Sequence, residues 1–124
     1  LKAATQLFWD EIKNCSFNYI TGVPYAALPF ATALAVTHNI PMIMPRKEQK
    51  THGTRQIIEG VYTPNTHCLV IEDLFTTGNS SLETVSILEK NRLIVTDIAI
   101  ILDREQGGKE HVEKQGYRVH ALYT

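Results

Sequence analysis

The sequence predicts an α/β fold of three layers, in which helices cover both faces of a mostly parallel sheet. Short apolar runs at 68–71 and 95–102 are typical of strands that are buried on both faces. Segments with helical spacing of apolar residues, such as 2–14 and 80–91, alternate with these runs. Alternation of this kind predicts parallel strands joined by right-handed crossovers, with ligands bound at the carboxyl ends of the strands.

The first half of the chain follows this alternation. A helix is predicted over 2–14, because apolar residues recur there every three to four positions. A strand at 17–20 and a turn at 21–25 come next. A second helix is predicted over 29–38, where Pro29 suits the first turn because its missing N–H costs little there. A strand at 40–44 ends at a proline.

The second half repeats the pattern around a central strand. Ser80 and Glu83 have the spacing of a capping box, which predicts a helix start at Ser80. The predicted elements are a strand at 68–71, a helix at 80–91, a strand at 95–102, a helix at 109–115 and a strand at 117–123.

Composition limits the possible functions. The chain has 124 residues, enough for one domain, and its net charge of −1 argues against a nucleic-acid partner. No apolar run is long enough to cross a membrane. Cys15 and Cys68 do not make a disulfide framework, which favours the cytoplasm, and no Cys/His group has the spacing of a zinc site. Because the chain begins with Leu1 and ends just after a predicted strand, we expect it to be a segment of a longer protein.

The most informative stretch follows the central strand. Glu72 and Asp73 stand side by side after the apolar run, and carboxylates are rarely buried without a partner. The small hydroxyl-rich stretch 76–80 follows, with Gly78 allowing an unusual backbone conformation. A helix start offers free N–H groups that bind anions. Two carboxylates beside an anion site indicate a ligand that carries both hydroxyl and phosphate groups, such as a sugar phosphate.

A second polar stretch is cationic. Residues 46–55 contain four cations and one acid and no apolar residue, which predicts a mobile exposed loop. Arg46, Lys47, Lys50 and His52 could supply donors to a diphosphate, although many charged runs are only solvated loops. Together with turns at 22–25, 72–80 and 103–108, this loop is predicted to meet at one edge of the sheet.

These stretches carry a resemblance to a known family. The central stretch resembles the binding motif for phosphoribosyl diphosphate (PRPP) in type I phosphoribosyltransferases. RKEQKTHG at 46–53, DREQGG at 103–108 and GVPYAALP at 22–29 are similar to orotate phosphoribosyltransferases, most of all to that domain of animal bifunctional UMP synthase. The resemblance implies a partial type I phosphoribosyltransferase fold. Residues 1–124 would be a core domain truncated at both ends, lacking part of the orotate pocket and inactive on its own.

The resemblance also implies roles for individual residues. Lys50 and His52 would be catalytic, and Thr76 and Arg104 would bind orotate, although Arg104 also suits a surface or ion-pairing role. The residues implied in PRPP binding are Tyr25, Ala26, Arg46, Lys47, Lys50, His52, Glu72, Asp73, Thr76, Thr77, Gly78, Asn79 and Ser80. Ala26 departs from bacterial members, which commonly carry lysine there.

The implied reaction converts PRPP and orotate into orotidine 5′-monophosphate (OMP) and diphosphate, in the de novo synthesis of UMP. Mg²⁺ would be carried mainly by the substrate, with no dedicated protein ligands. The implied partners are a second copy of the chain, which shares the loop bearing Lys50 and His52, and an OMP decarboxylase domain that could be fused to it. Two alternatives remain: a phosphoribosyltransferase for a purine or uracil, and a PRPP-binding domain without catalysis.

Overall fold

A computed structural model describes the backbone of residues 2–50 and 53–124, and the side chains of residues 3–46 and 57–124. In chain order, the elements in these ranges are α1 (Lys2–Ile12), β1 (Tyr19–Gly22), α2 (Leu28–His38), β2 (Met44–Lys50), β3 (Gly53–Glu59), β4 (Cys68–Phe75), α3 (Asn79–Lys90), β5 (Asp97–Asp103), α4 (Gly108–Lys114) and β6 (Arg118–Tyr123). None of the helices described has the length and apolar character that a membrane crossing requires.

The main sheet has four strands in the order β1-β4-β5-β6, and every neighbouring pair is parallel. Their carboxyl ends therefore lie along one edge, with β4 and β5 in the middle. This arrangement confirms the predicted α/β class.

The two faces of the sheet have separate cores. Because side chains alternate along a strand, Leu69 and Ile71 of β4 face α1 and α2, whereas Val70 faces α3 and α4. The first core also contains Phe8, Ile12, Ile20, Ala27, Ala31, Leu34 and Ala99. The second also contains Val85, Leu88, Ile98, Ile100, Val112 and Val119. Burial on both sides explains the continuous apolar run of β4 and confirms the three layers.

The prediction of a loop is wrong for residues 46–50 and 53–55, which form strands. β2 and β3 form an antiparallel hairpin, with Met44 opposite Glu59 at one end and Lys50 opposite Gly53 at the other. The polar composition misled the prediction, because an antiparallel ladder is held by backbone hydrogen bonds and its side chains can face water.

Several boundaries differ from the sequence-based expectation, as for β1, which was expected over 17–20 and lies at Tyr19–Gly22. The strand predicted at 40–44 is reduced to one parallel bridge between Met42 and Ile20, because the chain turns there into the hairpin. β4 continues through the two acids to Phe75, since Phe75 pairs with Asp103 and is 1% exposed. The capping box is absent: α3 begins at Asn79, and its N-cap is Gly78 at φ 83°.

Candidate functional site

Glu72 and Asp73 lie near the carboxyl end of β4. Glu72 is buried, with 5% of its surface exposed, whereas Asp73 is half-buried. Ser81 Oγ donates a hydrogen bond to Glu72 Oε1 at 3.2 Å, and the Asp73 N–H donates to Glu72 Oε2 at 3.2 Å. Ser81 was missed by the sequence analysis; its position one turn inside α3, facing back toward the strand, was the available signal.

The environment of Glu72 changes its acidity. Burial, helped by the neighbouring Asp73 side chain, raises the pKa of Glu72 to about 7 from an ordinary value of 4.5. The folded protein therefore holds a proton that the unfolded chain releases at lower pH. A raised pKa means that this stabilising contribution is complete below pH 4.5 and is lost as the pH rises toward about 7.

We expect Glu72→Gln to remove this pH dependence. The neutral amide carries no charge to bury, so the free energy of unfolding of the variant relative to wild type should rise between about pH 4.5 and 7 and then level off. Urea unfolding across this range measures it. Glu83→Gln, at an exposed position on α3, controls for the loss of one negative charge. A stability difference that does not change with pH would contradict the burial argument.

The turn between β4 and α3 has the features of an anion site. Thr76, Thr77 and Asn79 are exposed, and the Asn79 N–H lies 3.4 Å from Thr77 Oγ1. The N-cap residue Gly78 has no side chain that could cap α3, and in the described ranges only the Asn79 N–H among the first N–H groups has a side-chain acceptor, so the others and the helix dipole favour an anion there. The left-handed conformation of Gly78 directs the chain into the helix.

The turn after β5 packs directly against this loop. A Cβ atom added to Gly108 would lie 2.5 Å from Thr76 O and 3.2 Å from Gly78 N. A Cβ atom added to Gly78 would lie 2.5 Å from Val112 Cγ2 of α4. The two turns therefore touch through their backbones, and both glycines are required for this close approach.

Arg104 begins the same turn. Its backbone N–H donates to Phe75 O at 3.0 Å, so it lies beside the last residue of β4. The buried carboxylate of Asp103 accepts the Glu105 N–H at 2.9 Å and shapes the turn. The Arg104 side chain is exposed and forms no ion pair with any described side chain. It is therefore free to bind a ligand anion.

A cleft of about 380 Å³ joins three of the predicted segments. Tyr25 from the turn after β1, Arg46 from the hairpin and Ser80 from the start of α3 all line it. Tyr25 is 85% exposed, and the peptide bond between Pro24 and Tyr25 is cis. Segments far apart in the sequence thus meet at the carboxyl edge of the sheet.

Arg46 has a partner that the sequence analysis missed. Its Nε atom lies 2.8 Å from Glu59 Oε1, and both side chains are about half exposed. A β-hairpin assignment would have revealed Glu59, because the pairing of Arg46 with Ile57 places Glu59 diagonally across the ladder. An anionic ligand in the cleft would compete with Glu59 for Arg46.

Part of the predicted site cannot be placed. The side chains of Lys47 and Lys50, and all of His52, lie outside the described residues. Ala26 is exposed next to Tyr25. The roles assigned to all these residues stay predictions.

Comparison with known proteins adds independent information. No protein-family model matches the chain. The chain is 47% identical to an orotate phosphoribosyltransferase of Caenorhabditis elegans, covering 100% of the chain and 56% of that protein. It is 42% identical to the uridine 5′-monophosphate synthase of Bos taurus, covering 100% of the chain and 26% of that protein. It is 34% identical to an orotate phosphoribosyltransferase of Pyrococcus abyssi, covering 98% and 68%.

Solved structures agree with these relatives. An orotate phosphoribosyltransferase from Aeropyrum pernix superposes with a TM-score of 0.88 at 28% identity, covering 99% of the chain and 70% of the other protein. The Mycobacterium tuberculosis enzyme of the same name, solved in complex with PRPP, superposes with a TM-score of 0.80 at 26% identity, covering 97% and 70%. The shared fold extends over almost the whole chain.

Proposed function

Since the chain belongs to the orotate phosphoribosyltransferase family, we propose that it forms the core of an enzyme that transfers the 5-phosphoribosyl group of PRPP to orotate. The products are OMP and diphosphate, and the reaction belongs to the de novo synthesis of UMP. The chain spans 26% of the bovine relative and 56% of the nematode relative, so the activity is proposed for the protein that contains it. The observation that carries the proposal is the cleft that brings Tyr25, Arg46 and Ser80 together, with Ser80 at the start of the helix that follows the two acids of β4 along the chain.

We assign the sugar and its 5-phosphate to the end of β4. Glu72 and Asp73 accept hydrogen bonds from the ribose hydroxyls. The 5-phosphate binds the stretch 76–80, where N–H groups at the start of α3 and three hydroxyl side chains supply donors. Burial of Glu72 suits this role. It disfavours the charged carboxylate, and hydrogen bonds donated by the ribose hydroxyls would stabilise that charged form.

The diphosphate is assigned to the opposite side of the cleft. Arg46 offers a planar fork for phosphate oxygens, and Lys47, Lys50 and His52 are the further donors. The turn bearing Tyr25 and Ala26 approaches the diphosphate by its backbone. Thr76 and Arg104 border the orotate, with Arg104 binding its carboxylate or its ring oxygens.

Mg²⁺ is the proposed metal. Two adjacent acids at the strand end fit Mg²⁺, which usually takes one or two carboxylates together with substrate phosphates. The substrate diphosphate would supply most of the ligands of Mg²⁺. Glu72 and Asp73 would act indirectly, by holding the ribose hydroxyls that also bind it. When bound, Mg²⁺ neutralises the charge that develops on the leaving diphosphate.

The protein groups act mainly by electrostatics. Positive charge grows on the ribose carbon and negative charge on the diphosphate as the bond between them breaks. Cations fixed around the leaving group stabilise that transition state more than the ground state. Lys50 or His52 supplies a proton or a hydrogen bond to the departing oxygen.

The hairpin geometry supports a shared site in a homodimer. Met44 and Arg46 lie at the base of the hairpin beside the cleft, while Lys50 pairs with Gly53 at its far end. Four residue steps of about 3.4 Å separate Arg46 from Lys50, or roughly 14 Å along the strand. A residue displaced this far from its own cleft is well placed to enter the site of a second copy. Similarity to the bovine UMP synthase supports a fused decarboxylase domain. The free thiols of Cys15 and Cys68 suit the cytoplasm.

Diphosphate release in the presence of PRPP, Mg²⁺ and a panel of bases tests this function. We expect release with orotate and none with adenine, guanine, hypoxanthine or uracil. Release with one of those other bases would favour a different phosphoribosyltransferase. PRPP binding by calorimetry without release with any base would favour a binding domain without catalysis.

Gly108→Ala is expected to weaken PRPP binding about tenfold or more. The new Cβ would lie 2.5 Å from Thr76 O and would displace the phosphate loop, the stretch 76–80. Gly116→Ala is the matched control. Gly116 ends the same helix at φ 102°, and no atom lies within 4 Å of its added Cβ. Both variants should lose stability, but only Gly108→Ala should change the Kd for PRPP. An unchanged Kd in Gly108→Ala would contradict the phosphate role of this loop.

A further inference from the structure

A second cluster of chemically reactive side chains lies at the opposite edge of the sheet. Cys15 follows α1, Asp97 begins β5, and His120 lies on β6. One ligand atom from each of the three lies within 4.8 Å of the others. Cys15 Sγ is 3.5 Å from His120 Nε2, which is 2.7 Å from Asp97 Oδ1. β5 runs from this cluster to Asp103, so roughly 20 Å of strand separates it from the proposed active site.

Neighbouring residues hold this cluster in place. The Asp97 side chain is 3% exposed, and Arg118 donates to both of its oxygens, from Nε at 2.9 Å and from Nη2 at 3.1 Å. Thr96 Oγ1 donates to Asp97 Oδ2 at 2.7 Å. The carboxylate is therefore fixed in orientation before any ligand arrives, with Oδ1 directed toward the imidazole.

From this geometry we propose that Cys15, Asp97 and His120 form a binding site for Zn²⁺ or a similar borderline divalent cation. Sulfur, imidazole nitrogen and one carboxylate oxygen are a ligand set typical of zinc and unsuited to Mg²⁺. Tetrahedral bonds of about 2.3 Å to sulfur and about 2.0 Å to nitrogen place these two atoms roughly 3.5 Å apart. The observed separation of Sγ and Nε2 is 3.5 Å. The nitrogen and Oδ1 have to move apart by about 0.6 Å to reach the roughly 3.3 Å that two bonds of about 2.0 Å require.

Charge and protons balance in this step. The metal binds the Cys15 thiolate, the neutral Nε2 of His120 and Asp97 Oδ1, and the thiol proton leaves to solvent. The His120 proton moves to Nδ1, which frees the Nε2 lone pair. Arg118 keeps its bond to Oδ2 and orients the carboxylate from outside the first layer of ligands. Water takes the fourth position.

The alternative of an activated nucleophilic cysteine fits less well. Its base would be His120 Nε2, but that nitrogen is already 2.7 Å from Asp97 Oδ1 and donates its proton there. A metal would use all three groups. For a nucleophilic cysteine, Asp97 would have to contact Nδ1 of His120, whereas it contacts Nε2, the same nitrogen that lies next to Cys15. Because 105 positions separate Cys15 from His120, a bound metal ties the segment after α1 to the strand β6.

Titration of the metal-free protein with Co²⁺ tests the site. We expect a thiolate-to-cobalt charge-transfer band that saturates at one equivalent, is unaffected by excess Mg²⁺ and disappears when Zn²⁺ is added. Zn²⁺ should also raise the Tm. Absence of the band would overturn the proposal and leave an Arg118–Asp97–His120 ion-pair network only.

Two cysteine variants, one in the proposed site and one outside it, are compared in the same titration. Cys15→Ser should abolish the band and weaken Zn²⁺ binding by more than about tenfold. Cys68→Ala removes the other thiol, which is 2% exposed in the core, and should leave the titration unchanged. His120→Ala is the second ligand variant if Cys15→Ser fails to fold. Binding that survives Cys15→Ser, or is lost in Cys68→Ala, would overturn the assignment.

Discussion

Replacing Lys50 by alanine is expected to lower turnover in the proposed reaction by about 10²- to 10⁴-fold, the usual contribution of a positioned acid. Lys50 stands at the far end of the β2–β3 hairpin, and the Glu72–Asp73 pair and the loop after it lie on the main sheet. The variant should therefore keep its affinity for PRPP and lose mainly the chemical step. Single-turnover rates and calorimetry measure the two separately. Lys90→Ala, at the far end of α3, is the control.

Mixing two inactive variants tests whether the hairpin is shared. Asp73→Asn should lose ribose binding, and Lys50→Ala should lose the donor. If Lys50 acts in the other copy, one site of each mixed dimer is intact, and an equal mixture should recover about a quarter of wild-type activity. Near-normal turnover of Lys50→Ala would exclude its role as a donor. No recovery on mixing would mean that Lys50 acts within its own chain.

The fold could be predicted because its strongest signals are local. β4 and β5 are apolar runs, since both their faces are covered by helices. The apolar residues of α3 recur at helical spacing because only one face of that helix is buried. The hairpin could not be predicted in the same way. Its strands 44–50 and 53–59 are held by backbone pairing. Such pairing does not require the alternation of apolar and polar residues by which a strand is recognised in a sequence.

The position of Glu72 to Ser80 at the carboxyl end of one strand could be predicted, because these residues are continuous in sequence. Contacts between segments were not predictable. Ser81 supports Glu72 and Glu59 pairs with Arg46 only because helix and hairpin geometry bring them together. The cluster of Cys15, Asp97 and His120 is an extreme case: spacing rules for metal sites detect ligands a few residues apart, and these three lie on three separate segments.

Arg104→Ala is expected to raise the KM for orotate by roughly 10- to 150-fold, since hydrogen bonds to a charged group contribute about 1.5–3 kcal/mol. The KM for PRPP should change little. The reason is the position of Arg104: its N–H is bonded to Phe75 O, its side chain is exposed, and no described carboxylate engages it. Steady-state kinetics with each substrate varied in turn measure both values.

Two further variants separate charge from geometry. Arg104→Lys keeps the charge but lacks the planar fork that matches a carboxylate, so it should recover only part of the lost affinity for orotate. Arg92→Ala removes an exposed arginine from the turn after α3 and should change neither KM. Equal increases in both KM values for Arg104→Ala would mean that the residue shapes the turn against the phosphate loop rather than binding orotate. Full recovery by lysine would show that charge alone is needed there.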